Sequence, residues 1–386
     1  MDNLTHTLFA LTLARTPLGR AGRGTTAALL LASNAPDVEI IAAAAGAAKY
    51  LSWHRGMTHG PIGVVGLGVS VAGLVWAGRR IYDRRRPRAR APVAADPDAS
   101  FAMLAAVAMI GVLLHILVDF PTTYGTRLLS PFTWRWFGLD WMPIVDIYLI
   151  VILAAGRWFG RRSPAAGRRS AAIALVLMAA NYGIRGAAHH QALTLVPRAF
   201  GQTLPPPCRT PQPNAGMIEA WPLTGSSAPV PAPGTRCLVE AAAMPSFLSP
   251  FQWRIILQLS DAYEMRDIDL LDGYLRGRDA GSDTASRLTV RYPNVWTPTV
   301  MRAASTPLGQ VFLGFSRFPA ARSAVDAHGI TTVRITDMRF AGRPVGLNQD
   351  TRGADPFTAT VRVGPDGQIL ESTLGMSAAA SAPRSR

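Results

Sequence analysis

The chain has 386 residues, 49% of them hydrophobic and 16% charged, with a formal net charge of +15. That length allows two domains, and the composition changes accordingly: Ala, Leu, Val, Ile and Gly dominate up to about Val196, and a mixed, Pro-rich segment follows. The first 196 residues carry 20 Arg and Lys against 9 Asp and Glu, so the basic excess sits in loops of the apolar half, which points to membrane topology and away from a nucleic-acid surface.

Asp2 and His6 stand where a secretory signal would carry its basic stretch, so Met1 onward is expected to be the mature protein. Residues 4–14 read as a short apolar helix, followed by a basic turn with Arg15, Arg20 and Arg23. A second apolar segment, Thr25 to Ser33, ends at Asn34-Ala35-Pro36-Asp37. Both are shorter than the roughly 20 residues that a membrane crossing needs. They fit a hairpin dipping into the bilayer or packed on other helices, with an Ala-rich helix expected at 38–48.

Four stronger apolar segments follow: Pro61 to Gly78, Phe101 to Val118, Ile144 to Gly156, and Ala171 to about Tyr182. The loop at 79–100 holds seven Arg and the loop at 157–169 five, whereas 119–143 holds only Arg127 and Arg135. The positive-inside rule makes the first two cytoplasmic and the third external. The tail beyond about residue 190 is then periplasmic, where Cys208 and Cys237 are expected to form a disulfide.

The expected fold is mainly α: a helical membrane domain over 1–190, a Pro-rich linker over 191–245, a smaller α+β domain over 246–375 and a disordered end. Gln252 to Ser260, Arg287 to Tyr292, Thr331 to Phe340 and Phe357 to Val363 alternate like strands, and residues 298–315 read as one helix. Gly364-Pro365-Asp366-Gly367 marks a turn before a last strand at Gln368 to Glu371.

Chemistry-bearing residues gather on the predicted outer side. His115 and Asp119, four apart on a helix, project from one face and suit a shared metal, or a carboxylate orienting an imidazole. His54 and His59 flank Arg55-Gly56-Met57-Thr58 in a loop before an apolar run, His59 being the firmer ligand. His6, Asp37, Asp140 and Asp146 fall on the same side, Asp146 also suiting a helix N-cap. On the residues alone, a metal site and a buried polar network that packs the helices stand at even odds.

The stretches MDNLTHTLFA, NAPDVE, HRGMTHG, HILVDFPTTYGTRLLSPF and DWMPIVD resemble the YdjM family of bacterial inner-membrane metal-dependent hydrolases, over about residues 1–155. A looser likeness continues at 249–255, 315–319 and 336–340. The order His, Asp, His and HxxxD is also similar to that of the zinc-dependent phospholipase C and single-strand nuclease fold, although the second His-containing set of those enzymes is missing here. The resemblance implies a divalent metal, zinc first, on His6, Asp37, His59, His115 and Asp119. Asp146, Asp140 or His54 would serve in catalysis, and Arg55 and Arg127 would face an anionic group. Salt bridging and interfacial anchoring are equally open roles for the two arginines. Trp134, Trp136 and Trp141 are expected in an interfacial aromatic belt, His189 and His190 as a solvated pair, and His328 at the surface.

The leading expectation is a membrane-embedded hydrolase of a phosphoester or lipid-linked substrate at the outer face of the inner membrane, with membrane lipids as partners and no nucleic acid. The alternative is a non-catalytic membrane protein with a structural His/Asp cluster and a tail that binds an envelope partner. A transporter is disfavoured because the polar residues gather at one side.

Overall fold

The computed structural model describes residues 1–85, 97–200, 204–208, 218–221, 236–271, 289–342 and 357–375. Arg86, Arg88, Arg90 and the tail from Ser377 lie outside the described residues. The chain forms two units: Met1–Ile41, Trp53–Gly138 and Met142–Ile184 make the first, and Ala42–Ser52, Leu139–Trp141 and Arg185–Arg386 the second.

The first unit begins with α1 (Asn3–Leu13), whose N-terminus is capped by the Asp2 carboxylate accepting from Thr5 N at 2.9 Å. After α2 (Thr25–Ala32) the chain enters an eleven-residue 3₁₀ helix, Ala35–Ala45, bent 40° from it. Runs of that length are uncommon, and this one shows its period in its burial: Pro36, Glu39 and Ala42 are buried and their neighbours are not. The helix expected at 38–48 is therefore 3₁₀ as far as Ala45, and α3 (Ala47–Trp53) follows.

A single 3₁₀ turn, Met57–His59, leads into α4 (Pro61–Arg85), and α5 (Phe101–Asp119) packs beside it. A three-residue strand, β1 (Trp136–Gly138), precedes α6 (Ile147–Phe159), and α7 (Pro164–Thr194) and α8 (Val196–Phe200) come next. Among the described residues α4, α5 and α7 are long and apolar enough to cross a membrane, and the bent pair from Thr25 to Ala45 passes the same test jointly. The expected third span is shorter than anticipated. With 13 residues α6 rises about 20 Å, against roughly 30 Å of hydrocarbon.

Arginine contacts set the polarity of this unit. Arg23 pairs with Asp83 and, at 2.7 Å, with Asp98, while Arg79 donates to Ala99 O at 2.8 Å. Arg15 donates to the carbonyls of Gly156 and Arg157, each at 3.1 Å. The turn at 15–23, the α4–α5 connection and the segment after α6 thus share one end. Asp119, at the far end of α5, lies about 27 Å away along the helix. The grouping of basic loops read from charge alone is what these contacts produce.

The second unit holds β2 (Glu219–Trp221), then an antiparallel meander of β3 (Leu238–Pro245), β4 (Gln252–Leu259), β5 (Ala262–Asp269) and β6 (Val290–Pro293). Helices α9 (Pro298–Ala304) and α10 (Pro307–Phe315) precede a second meander of β7 (Pro319–Val325), β8 (Thr331–Asp337), β9 (Thr358–Val363) and β10 (Ile369–Gly375). The helix expected at 298–315 is split because Thr297 and Thr306 each cap a new start followed by Pro. Strand β3, in the stretch read as linker, is the edge of the first sheet.

β4 is buried on both faces. Trp253, Ile255, Leu257 and Leu259 pack with Ala192, Val196 and Ala199, while Ile256 packs with Tyr263, Phe318 and Met338. Cys208 and Cys237 are disulfide-bonded, and the bridge ties residues 204–208 to the start of β3. Across a separation of 29 residues, such a link is worth about 3.6 kcal/mol by loop-closure entropy. Cys208→Ala is therefore expected to lower the thermal midpoint of the second unit by several degrees, and added reductant should reproduce the loss in wild type but not in the variant.

Candidate metal centre

The HRGMTHG loop is held in place by the loop after α5. Arg127 N donates to Arg55 O at 3.2 Å, and the Ser130 hydroxyl donates to Gly56 O at 2.7 Å. Gly60 runs so close to the Ser130 backbone that a Cβ there would collide with its carbonyl oxygen. Arg55, with φ of 49°, is turned inward; its guanidinium donates to Gly125 O at 2.8 Å and Thr122 Oγ at 3.2 Å and lies 3.0 Å from Asp119 Oδ2. A structured turn follows α5: Gly125 has φ of 79°, and Thr126 exchanges backbone hydrogen bonds with Phe137.

Four candidate ligands converge. One donor atom each from Asp37, His59, His115 and Asp119 lies within 4.8 Å of the others. The two Nε2 atoms are 3.3 Å apart, each is 3.6 Å from Asp119 Oδ2, and Asp37 Oδ1 is 3.7 Å from His115 Nε2 and 4.0 Å from His59 Nε2. A tetrahedral shell with bonds near 2.0–2.2 Å has edges of about 3.3–3.6 Å, so most of these separations match or slightly exceed one.

The hydrogen-bond network decides which ring nitrogens carry protons. His115 Nδ1 is 2.8 Å from the Ser33 carbonyl, which only accepts, so Nδ1 is the protonated nitrogen. Thr58 donates its hydroxyl hydrogen to Glu39 Oε2 at 2.7 Å and must accept from His59 Nδ1 at 2.9 Å. In the neutral form of both rings, bare Nε2 lone pairs face each other beside two carboxylates. That arrangement is repulsive unless a cation sits among them. Asp37 Oδ2 also lies buried without a hydrogen-bond partner.

His6 flanks this set. It stacks on His115 with centroids 3.8 Å apart, places Nε2 3.3 Å from Asp119 Oδ1, and leaves Nδ1 buried without a hydrogen bond. The Met1 amino group also contacts Asp119.

Glu39 escaped the reading of the sequence. It lies 3.0 Å from His54 Nδ1, accepts from Thr58 and from Arg55 N, and comes within 3.9 Å of His59 Nδ1. The signal lay in the acid two residues after Asp37, which a 3₁₀ helix turns to its buried face. His54 is thereby a partner of Glu39 and stands edge-on to Tyr124 at 5.0 Å. Burial pushes its imidazole down to about 4.

Other sequence candidates lie elsewhere. Asp146 caps α6, its Oδ1 accepting from Leu149 N at 2.8 Å, and Asn181 Nδ2 is 3.5 Å away. Asp140, with φ of 56°, belongs to the second unit and pairs with buried Arg317, which also meets Glu240 and, at 3.1 Å, Glu219. Burial opposes that guanidinium's charge, but the Glu240, Asp140 and Glu219 carboxylates hold its pKa above the ordinary value. Both aspartates thus have structural partners, and neither is in the four-residue group. Arg127 is buried against Trp136, 4.5 Å from its ring, and burial lowers it to about 10. Trp136 is fully buried and so is no interfacial anchor, whereas Trp134 is half exposed. His189 packs 5.5 Å from Trp253 instead of forming a solvated pair with His190, and His328 is exposed.

Comparison with known proteins identifies the first half of the chain. Residues 1–192 belong to the YdjM inner membrane protein family. The chain is also similar to an uncharacterized protein, YfhP, of Bacillus subtilis (strain 168), at 27% identity over 139 residues, covering 36% of this chain and 37% of that relative. No solved structure gives a significant match. With its apolar helices, this member of the YdjM family is a membrane protein.

Two outcomes test the geometry. Because the His54 pKa is depressed in the fold, its contribution to stability is present above about pH 6.5 and is lost as pH falls toward 4. His54→Gln should remove about 1–2 kcal/mol of that acid sensitivity, read from thermal midpoints between pH 7.5 and 4.5. Gly60→Ala should destabilise the first unit by about 2 kcal/mol or more through its clash with Ser130.

Proposed function

We propose that this chain is a metal-dependent hydrolase acting on a membrane-proximal substrate, with an ester of phosphorus as the first candidate by analogy of motif order. The observation that carries the reading is the pair of inward-facing Nε2 atoms, 3.3 Å apart and flanked by Asp37 and Asp119. Two imidazoles and two carboxylates suit zinc, manganese or iron, with zinc first. When bound, such an ion supplies a Lewis acid and lowers the pKa of water.

The residues around it have separable tasks. Glu39 and Thr58 fix the tautomer of His59, and Ser33 fixes that of His115. Arg55 holds Asp119 in place through Nη2 and balances its charge, while Nη1 is bonded to Gly125 O and Thr122 Oγ, which makes it part of the framework. Asp37 is the ligand that faces outward, its side chain 18% exposed against 0% for His59, His115 and Asp119.

A structural metal is the second reading, favoured by the donor count, since four protein ligands are typical of closed sites. We place the centre and the second unit at the outer face of the inner membrane, supported by the basic loops at the opposite end of the first unit and by the Cys208–Cys237 bridge.

Metal analysis of the purified full chain should find about one divalent ion per chain, with His59→Ala and Asp119→Ala retaining less than a tenth of it. Wild type without stoichiometric metal overturns the proposal. Metal-loaded protein inert towards a panel of phosphate and carboxylate esters leaves the structural reading in its place. An alkaline phosphatase fusion at the C-terminus should be active, and an inactive one would overturn the outer-face placement.

A further inference from the structure

We infer that the substrate of this centre is an amphiphile, whose hydrocarbon chain lies along Ile40 and Ile41 while its polar, hydrolysable group meets Asp37. The inference rests on the metal-centre reading and narrows it to a class of substrate.

The argument starts from where the centre reaches the surface. Of the four clustered side chains only Asp37 has measurable exposure, so an incoming group has to approach on its side. Asp37 lies on the long 3₁₀ helix, whose period of three places Ile40 directly above it on the same face, about 6 Å along the axis. Ile40 is 60% exposed and Ile41 67%, and Val38, on the other flank of Asp37, is also exposed. The third face of the helix, carrying Pro36 and Glu39, is turned inward. The approach to Asp37 is therefore bordered along this helix by branched aliphatic side chains.

In a water-soluble protein that border would be a liability; in a membrane protein it meets acyl chains. The helix forms one arm of the bent apolar pair that qualifies as a span only when both arms are taken together. The bend falls between Ala32 and Ala35, just before Asp37, and so at the end of the first unit opposite the basic contacts. A water-soluble substrate would gain nothing from the aliphatic strip. A molecule already dissolved in the bilayer keeps its chain in an apolar environment while its polar end reaches the ligands.

The test uses the full chain in phosphatidylcholine nanodiscs, loaded with cobalt(II), whose visible absorption bands report ligands entering the metal's coordination. Acetohydroxamate and octanohydroxamate carry the same metal-binding head and differ only in chain. Octanohydroxamate is expected to bind at least 30-fold more tightly. Ile40→Asn and Ile41→Asn should each weaken it about tenfold while leaving cobalt occupancy and acetohydroxamate affinity unchanged. Leu74→Asn, on an exposed face of α4, controls for general partition into the bilayer and should change neither. Ile40→Ala repeats the measurement should the Asn variants fail to accumulate. Equal affinity for the two hydroxamates, or the same loss in Leu74→Asn as in Ile40→Asn, overturns the amphiphile. Absence of bound cobalt instead overturns the metal centre, and this inference with it.

Discussion

Two imidazoles that have each committed the Nδ1 proton elsewhere cannot comfortably bring their Nε2 atoms within 3.3 Å in a buried site. Much of the first unit exists to enforce that approach. The Ser33 carbonyl at the end of α2 accepts a hydrogen bond from His115 Nδ1, and the Thr58 hydroxyl, itself donating to Glu39, accepts one from His59 Nδ1. The loop after α5 holds the HRGMTHG turn through Arg127 N, Ser130 Oγ and the close pass at Gly60. Arg55, buried and threefold bonded, contributes the positive charge that makes a second interior carboxylate tolerable. Free energy of the fold is spent on holding donors together in the absence of any bonds among them, which is the usual relation between a ligand set and its supporting shell.

The polarity of this unit follows from a different force. Arg15, Arg23 and Arg79 reach backbone carbonyls and aspartates at one end, while the ligands occupy the other. Charge placement and ligand placement are therefore independent features that agree in space. The second unit is built on ordinary sheet packing, with β4 sandwiched between helical residues on one side and the second meander on the other.

What could be read from the sequence was whatever depends on local spacing. His115 and Asp119 share a helix face by the 3.6-residue period, and the apolar runs gave α4, α5 and α7 directly. Glu39 was invisible because the Ala-rich stretch around it gives no local sign of which face is buried; in the structure it turns inward with Pro36. Asp146 and Asp140 show the opposite failure. A carboxylate before an apolar helix has the same local signature whether it caps that helix or binds a metal, and the capping bond to Leu149 N decides the first case. Arg317, 177 residues away, decides the second. Trp136 was misjudged for the same reason, since its burial beneath Arg127 and Tyr124 comes from residues joined only by the turn at 122–126. β3 was lost in its Pro-rich surroundings because its Ala-rich run carries little strand propensity and is defined by pairing with β4.

The 3₁₀ helix gives the segment around Asp37 an arithmetic of its own. With three residues per turn, positions 37, 38 and 39 point in directions 120° apart: one to the ligands, one away from the protein, one into the supporting network. Adding or removing a single residue between the two acids would rotate one of them by a third of a turn and exchange a carboxylate for an aliphatic side chain. The Asp-x-Glu interval thus works as a reading frame. In any related chain, its presence or loss separates proteins built to keep this centre from proteins that keep only the helices around it.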